Sequence, residues 1–186
     1  MDAIIMCGMP AVGKTTVAKI IASRLNVPLV GGGDILKEIA LEDGYHATGD
    51  DWWDTAEGMK FLEKRKGSSK FDKEVDSRLL KKVDKGDVVI TSYTVPWLTK
   101  KGIKVWLSGT PASRSIRMAK RDSSTPEECL MVIARRDEEN YSLYKNLYKI
   151  EFGRDLSPFQ LVVGTDGVAA DKVAKEIMDY ISAIRA

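Results

Sequence analysis

Nine consecutive residues, Gly8-Met9-Pro10-Ala11-Val12-Gly13-Lys14-Thr15-Thr16, bring together the groups that hold a chain of phosphates: glycines, a lysine and two hydroxyls. They read G-x-x-x-x-G-K-[ST]. Glycines let the backbone curl so that successive N–H groups face phosphate oxygens, and the positive end of a following helix adds to the same field. At this spacing Lys14 reaches the β- and γ-phosphates and the Thr15 hydroxyl ligates Mg²⁺. An ordinary glycine turn beside a surface lysine would not need a strand before it and a helix after it. Both are present. Ala3-Ile4-Ile5-Met6-Cys7 is a short apolar run fit for a buried strand, and Val17, Ile20, Ile21 and Leu25 recur at helical spacing. Gly8 to Thr16 are therefore expected to bind a nucleoside triphosphate, ATP, with Mg²⁺ on Thr15.

The elements that must position this loop follow in order. Asn26 to Val30 is a second strand, and Gly31-Gly32-Gly33 connects it tightly to a helix over Ile35–Leu41 with Asp34 as N-cap. Residues 43–58 are polar, acidic and aromatic, an excursion from the core. Lys60 to Lys66 is highly charged and is broken by Gly67-Ser68-Ser69. A helix over 71–83 carries Phe71, Val75, Leu79 and Val83 on one stripe. Val88–Thr91 and Ile103–Leu107 are the third and fourth strands. Thr110-Pro111 opens a helix to Arg121, and Thr125-Pro126-Glu127-Glu128 opens another, reaching Tyr148, with a capping box. Gln160–Val163 is the last strand, and Val173, Ile177, Ile181 and Ile184 line the final helix. Five apolar strands alternating with helices predict an α/β fold around a parallel sheet.

Composition narrows the partners. A chain of 186 residues, 44% hydrophobic, is one domain. Its net charge of +2 is too small to imply a nucleic-acid partner. Cys7 and Cys129 suit a reducing compartment, and Cys7 reads as a packing residue. With no signal-peptide pattern and no long apolar run, a cytoplasmic monomer without a membrane partner is expected. His46, the single histidine, makes neither a metal cluster nor a triad.

Arg114, Arg117 and Arg121 stand at i, i+3 and i+7, and Arg135 and Arg136 follow beyond Asp122-Ser123-Ser124. Two joined helices that each bring arginines can form a lid over transferring phosphates. Phosphoryl transfer needs positioning and positive charge more than covalent help. The competing reading is a pair of solvated faces with local pairs to Glu127, Glu128, Glu138 and Glu139.

At this point the chain resembles the nucleoside monophosphate kinases, and among them the archaeal-type cytidylate kinases. The resemblance runs almost end to end. It rests on GMPAVGKTT, on GDILKE after the second strand, on FDKEVDSRLLKKVDKGDVVI, on VWLSGTPASRSIRMAKRD, and on RRDEENYSLYKNLYKIEFGRDLSPFQLVVGT. It implies a P-loop NTPase fold, three layers α/β/α with a five-stranded parallel sheet of order 2-3-1-4-5. It also implies a core of residues 1–42, 71–112 and 149–186, an acceptor-binding insert at about 43–70 and a helical lid at about 113–148. The activity implied is transfer of the ATP γ-phosphoryl to CMP or dCMP. Lys14, Arg117, Arg121 and Arg136 would be catalytic, with Asp137 orienting Arg136, and Asp34, Lys37 and Tyr93 would lie on the acceptor side. Arg78, on the helix before the third strand, is either an acceptor ligand or a surface residue.

Several positions depart from the family pattern. Lys37 replaces an arginine, which keeps the charge and loses the bidentate fork. Thr91-Ser92-Tyr93-Thr94 replaces an acid followed by Gly-Arg, Leu143 stands where an arginine precedes the tyrosine, and Gln160 replaces an aspartate. The donor loop is intact while the acceptor-reading positions have changed. Two rivals remain: a kinase of AMP, UMP or another small acceptor, and a nucleotide-binding regulator without transfer. Trp52 and Trp53 either pack the insert or stack on the acceptor base. Asp72 and Asp76 face solvent, or else one takes a cytosine amino group.

Overall fold

Burial on both sides of the first strand sets up the architecture. Every residue of β1 (Ile4–Gly8) is buried, and successive side chains point to opposite faces. Ile4 and Met6 join one apolar cluster with residues of α1 (Lys14–Leu25) and α8 (Ala170–Ala183). Ile5 joins a second with residues of α2 (Gly32–Glu42) and α4 (Lys70–Lys85). Such a strand belongs in a parallel sheet covered by helices on both faces.

The computed structural model describes residues 1–48, 52, 55–66 and 69–185. In it β1 is the middle of a five-stranded parallel sheet, order β2-β3-β1-β4-β5, as expected. The other strands are β2 (Leu29–Gly31), β3 (Val89–Thr91), β4 (Ile103–Ser108) and β5 (Leu161–Gly164). Ile4 aligns with Val89 on one side and with Ile103 on the other. The strand order turns around at β1, so the crevice beyond the carboxyl ends of β1 and its neighbours is the natural ligand site.

Two further helices close over that end. Thr110 caps α6 (Pro111–Asp122) by accepting from the Ser113 N–H at 3.2 Å. The Thr125–Glu128 capping box opens α7 (Pro126–Tyr148), each side chain accepting from the other's backbone N–H at 3.3 Å. Met118, Ala119, Cys129 and Ile133 form their shared core, and Ala11 of the glycine loop packs against it. No described helix is long and apolar enough to cross a membrane.

Several local expectations are corrected. Helix α2 begins at Gly32, so Asp34 is its third residue rather than its N-cap; from there Asp34 Oδ2 accepts from the Gly31 N–H at 2.7 Å. Asn26 closes α1 with φ 52°, which delays β2 to Leu29. Helices α3 (Ala56–Lys66) and α5 (Val95–Leu98) were not anticipated. Ile184 lies past α8 and is half exposed, whereas Val173, Ile177 and Ile181 are buried. For Trp52 the packing alternative holds: it is buried with its ring centroid 5.7 Å from Phe61 and 6.4 Å from Tyr45. Trp53 and the break at Gly67-Ser68 lie outside the described residues.

Phe61 is 0% exposed and is the apolar anchor that α3 sinks into the second cluster. Phe61→Ala is expected to cost about 3–5 kcal/mol, read as a lower urea midpoint. A loss under about 1 kcal/mol would mean that α3 does not depend on this contact.

Candidate active site

The loop's shape follows from its glycines. A Cβ on Gly8 would lie 2.5 Å from the Leu107 carbonyl oxygen and 2.9 Å from Val12 Cγ1, so β4 can pass only if residue 8 has no side chain. Gly13 adopts φ 101°, in the left-handed region that side chains avoid. From it α1 starts, with the Val17 N–H bonded to the Gly13 carbonyl at 3.1 Å. The first turn of α1 carries no acidic residue. Its unbonded N–H groups and positive dipole end are left to an anion.

Lys14 crosses the loop. Its Nζ donates to the carbonyls of Gly8 (2.8 Å) and Met9 (2.9 Å) and sits 4.6 Å from the centre of the Tyr93 ring. Burial pushes its pKa down to about 8; Cys7 and Asp137 pull upward against this, and the like charges of Arg136 and Arg114 push further down. Cys7 is fully buried beneath the loop and its thiol is pushed up to about 12 by desolvation, which fits a packing residue and not a nucleophile.

Arg114 of α6 fastens the glycine loop to α7. It is 2% exposed, donates to the Pro10 carbonyl at 3.2 Å, and holds Asp137 of α7 through two bonds of 2.9 and 2.6 Å. This corrects two expectations. Asp137 orients Arg114 rather than Arg136, and Arg114 is a buried tie rather than one of three arginines on an open face.

A cleft of about 1470 Å³ opens from the loop. It brings together Lys14, Thr15, Asp34, Tyr93 and Arg136 of the expected site residues. Others stand off it. Arg78 is held by Glu42 through bonds of 2.6 Å and by Glu74 at 2.7 Å, and Lys37 is half-buried on α2 outside the cleft lining. Arg121 pairs with the neighbouring Asp122 at the surface. Arg117 donates to the Thr165 carbonyl and leaves Nη1 buried with no partner among the described residues. It flanks a smaller hollow of about 380 Å³ with Ser113, Ile116 and Val168. Thr165, which accepts from Arg117, lies beside the glycine loop: a Cβ on Gly109 would meet both Thr165 Oγ1 and Val12 Cγ2.

Sequence reasoning missed some cleft residues. Lys19 lies one turn beyond Thr15 on α1 and shares its face, a spacing that could have found it. Glu139 and Asn140 follow Arg136 by a turn on α7. Asp76 is buried and lines the cleft rather than facing solvent, and the half-buried Asp72 lines it too, which favours the second reading of this pair. Asp76's partners, Thr94 and Tyr148, come from distant parts of the chain. Gln160 turns out to be structural: its Oε1 accepts from the Lys104 N–H at 2.8 Å and lengthens the β4–β5 pairing.

A family profile described as an AAA domain matches residues 4–142. Curated relatives named cytidylate kinase include that of Pyrobaculum islandicum, 32% identical over 186 residues, covering 99% of this chain and 95% of that protein. The cytidylate kinase of Methanocaldococcus jannaschii is 32% identical over 85% of each chain. That of Pyrococcus horikoshii is 31% identical over 97% of this chain and 90% of its own. Among solved structures, an uncharacterized protein from Eubacterium ventriosum superposes with a TM-score of 0.71 at 18% identity, covering 98% and 99% of the two chains. Shikimate kinase from Bacteroides thetaiotaomicron gives 0.65 at 16%, covering 97% and 98%. These structures share the fold.

Two outcomes test this geometry. A triphosphate favours charged Lys14, so ATP binding takes up a proton wherever the free lysine has lost one. Affinity should fall as pH rises above about 8, by up to tenfold per unit. Calorimetry at pH 8 in buffers of different ionisation enthalpy should find about half a proton taken up; none would contradict the buried lysine. Separately, Asp137→Ala strands the Arg114 charge and should cost about 3–5 kcal/mol in chemical denaturation. A loss within about 1 kcal/mol would show the tie to be dispensable.

Proposed function

Since the chain belongs to the P-loop nucleoside monophosphate kinases, in the branch of the archaeal cytidylate kinases, it is an ATP-dependent kinase, and we propose that its acceptor is CMP or dCMP. The observation that carries the reading is one continuous cleft holding the phosphate loop at one end and Asp34, Tyr93 and Arg136 around it. The curated relatives named cytidylate kinase support the choice of base.

In this reading the amides of residues 8–16 and the Lys14 ammonium hold the β- and γ-phosphates of ATP. The donor's adenine lies in the hollow beside Arg117, where the buried Nη1 can find a partner. Mg²⁺ fits the donor set. Thr15 offers one exposed hydroxyl, and among the described residues no cluster of three His, Cys, Asp or Glu could hold a metal without the nucleotide. Such a site suits an ion shared with phosphate oxygens. Thr15 would hold Mg²⁺ together with the nucleotide, and the ion would supply positive charge to the phosphate oxygens.

The acceptor phosphate is already an anion near neutral pH, so no residue need remove a proton. What the protein supplies is alignment and charge. Arg136 stands in the cleft ready for the transferring group. Arg121 joins when the lid closes, because its exposed pair with Asp122 is worth only about 0–1 kcal/mol and is readily exchanged for phosphate. Arg117 keeps the donor base side in place. A second reading has a specific basis: with Tyr93 in the arginine's place and Lys37 and Arg78 off the cleft, another monophosphate or small acceptor could be preferred.

A coupled ADP-release assay with CMP, dCMP, UMP, AMP and GMP decides between them. Turnover is expected with CMP or dCMP above the rest. Background rates with both, beside turnover of another acceptor, would move the assignment to that acceptor. Arg136→Ala should lower kcat by roughly 10²–10³ while ATP affinity stays within about threefold. An unchanged kcat would remove Arg136 from the catalytic set.

A further inference from the structure

Helix α4 turns Asp72, Val75, Asp76 and Leu79 toward the cleft, a spacing of i, i+3, i+4 and i+7 that makes one wall. Asp76 is the unusual member. It is 6% exposed, yet it lines the space where the acceptor must lie. A buried carboxylate is costly unless it is hydrogen-bonded. Here the Thr94 hydroxyl donates to Oδ1 at 2.5 Å and the Tyr148 hydroxyl donates to Oδ2 at 2.6 Å. Thr94 is itself held, its N–H donating to Ser92 Oγ at 3.1 Å. Tyr148 is the last residue of α7, the helix that carries Arg136. Its phenol is raised above the usual range by burial and by the bond to Asp76, so it remains a donor. Three elements thus converge to aim one carboxylate.

We propose that Asp76 determines the base preference of this cleft, accepting a hydrogen bond from the exocyclic amino group of the acceptor's base and rejecting a base that presents a carbonyl there. This rests on the reading of the cleft as the acceptor site of a nucleotide kinase. A carboxylate accepts and cannot donate. Toward cytosine it forms a charge-assisted bond with the amino group; toward uracil it meets the lone pairs of an oxygen that it cannot satisfy. A site built around such a group discriminates by more than shape alone, because the wrong ligand leaves buried polar atoms unpaired. The cleft's charges also set the acceptor's direction. The cations Lys14, Lys19 and Arg136, with the acids Asp34 and Glu139 among the other lining residues, all stand off α4. Helix α4 lines the cleft with Asp72 and Asp76 and no cation, so the phosphate is drawn away from α4 and the base is the part that meets it.

A purely structural role, tying α4 to α7, would change turnover of all acceptors alike. The test therefore reads a ratio: kcat/KM for CMP over UMP in the wild-type protein, in Asp76→Asn and in Tyr148→Phe. Melting temperature and ATP affinity serve as folding controls. The wild-type ratio should be roughly 100. Asp76→Asn, nearly isosteric and able to turn an N–H toward a carbonyl, should lower it by roughly 10- to 100-fold. Tyr148→Phe should lower it in the same direction by less. Should Asp76→Asn fail to fold, the Tyr148→Phe ratio decides. An unchanged ratio in the folded variant, or a wild-type preference for UMP, would overturn the proposal while leaving the kinase reading intact. A wild-type protein that phosphorylates no monophosphate would instead overturn the reading beneath it.

Discussion

One buried guanidinium fixes the relation between the phosphate loop and everything that closes over it. Arg114 cannot be taken out of water without partners, because an unpaired charge inside a protein costs several kcal/mol. Its partners come from the glycine loop (Pro10) and from α7 (Asp137), while Arg114 itself comes from α6. All three must arrive together. Ala11 adds an apolar contact to the same junction. The loop is thereby pinned from outside as well as by the close approach of β4 to Gly8. Arg114 also helps hold the Lys14 pKa low, so the joint that shapes the loop tunes its lysine too.

From that joint the cleft divides by charge. The end nearest α1 offers backbone amides, Lys14 and Lys19, with Arg136 across from them on α7; the α4 wall offers Asp72 and Asp76. A molecule with an anionic group at one end and an amino-bearing ring at the other would suit both ends at once, which is the basis for proposing a cytosine nucleotide. The aromatic packing of Tyr93 against Tyr144 and Phe152 stiffens the floor between them, with ring centroids 6.0 and 5.5 Å apart. Arg117 and Arg121 lie outside this cleft in bonds of unequal strength. Arg117 is tied to the Thr165 carbonyl beside the donor loop, whereas Arg121 pairs with its exposed neighbour Asp122.

The parts legible from sequence are those governed by local rules. The loop, the two threonine caps and the stripe on α4 depend on residues a few positions apart, and each is present in the structure, whereas the strand order, also present, came with the family resemblance and not from local pattern. The parts that escaped depend on distance along the chain. Asp137 was assigned to its neighbour Arg136, and nothing local reveals a pairing with Arg114 23 residues away. Asp76 looked like a solvent-facing residue because Tyr148, 72 residues on, is what buries and aims it. Helix α3 escaped because Lys60 to Lys66 reads as a charged run, in which the buried Phe61 is a single apolar anchor beside an exposed Met59 among the described side chains. Asp34 was placed three residues too early in its role because the glycines before it supply the first helical turn themselves.

The central claim is that the donor's phosphates and the acceptor meet in one cleft, with the donor base in the hollow beside Arg117. Adenosine and cytidine joined 5′ to 5′ through five phosphates would span both with one molecule. Titration calorimetry should find one site per chain and an affinity at least roughly 100-fold above that of ATP or CMP alone, with the uridine counterpart weaker. Binding no tighter than ATP, with the cytidine end making no difference, would contradict the account.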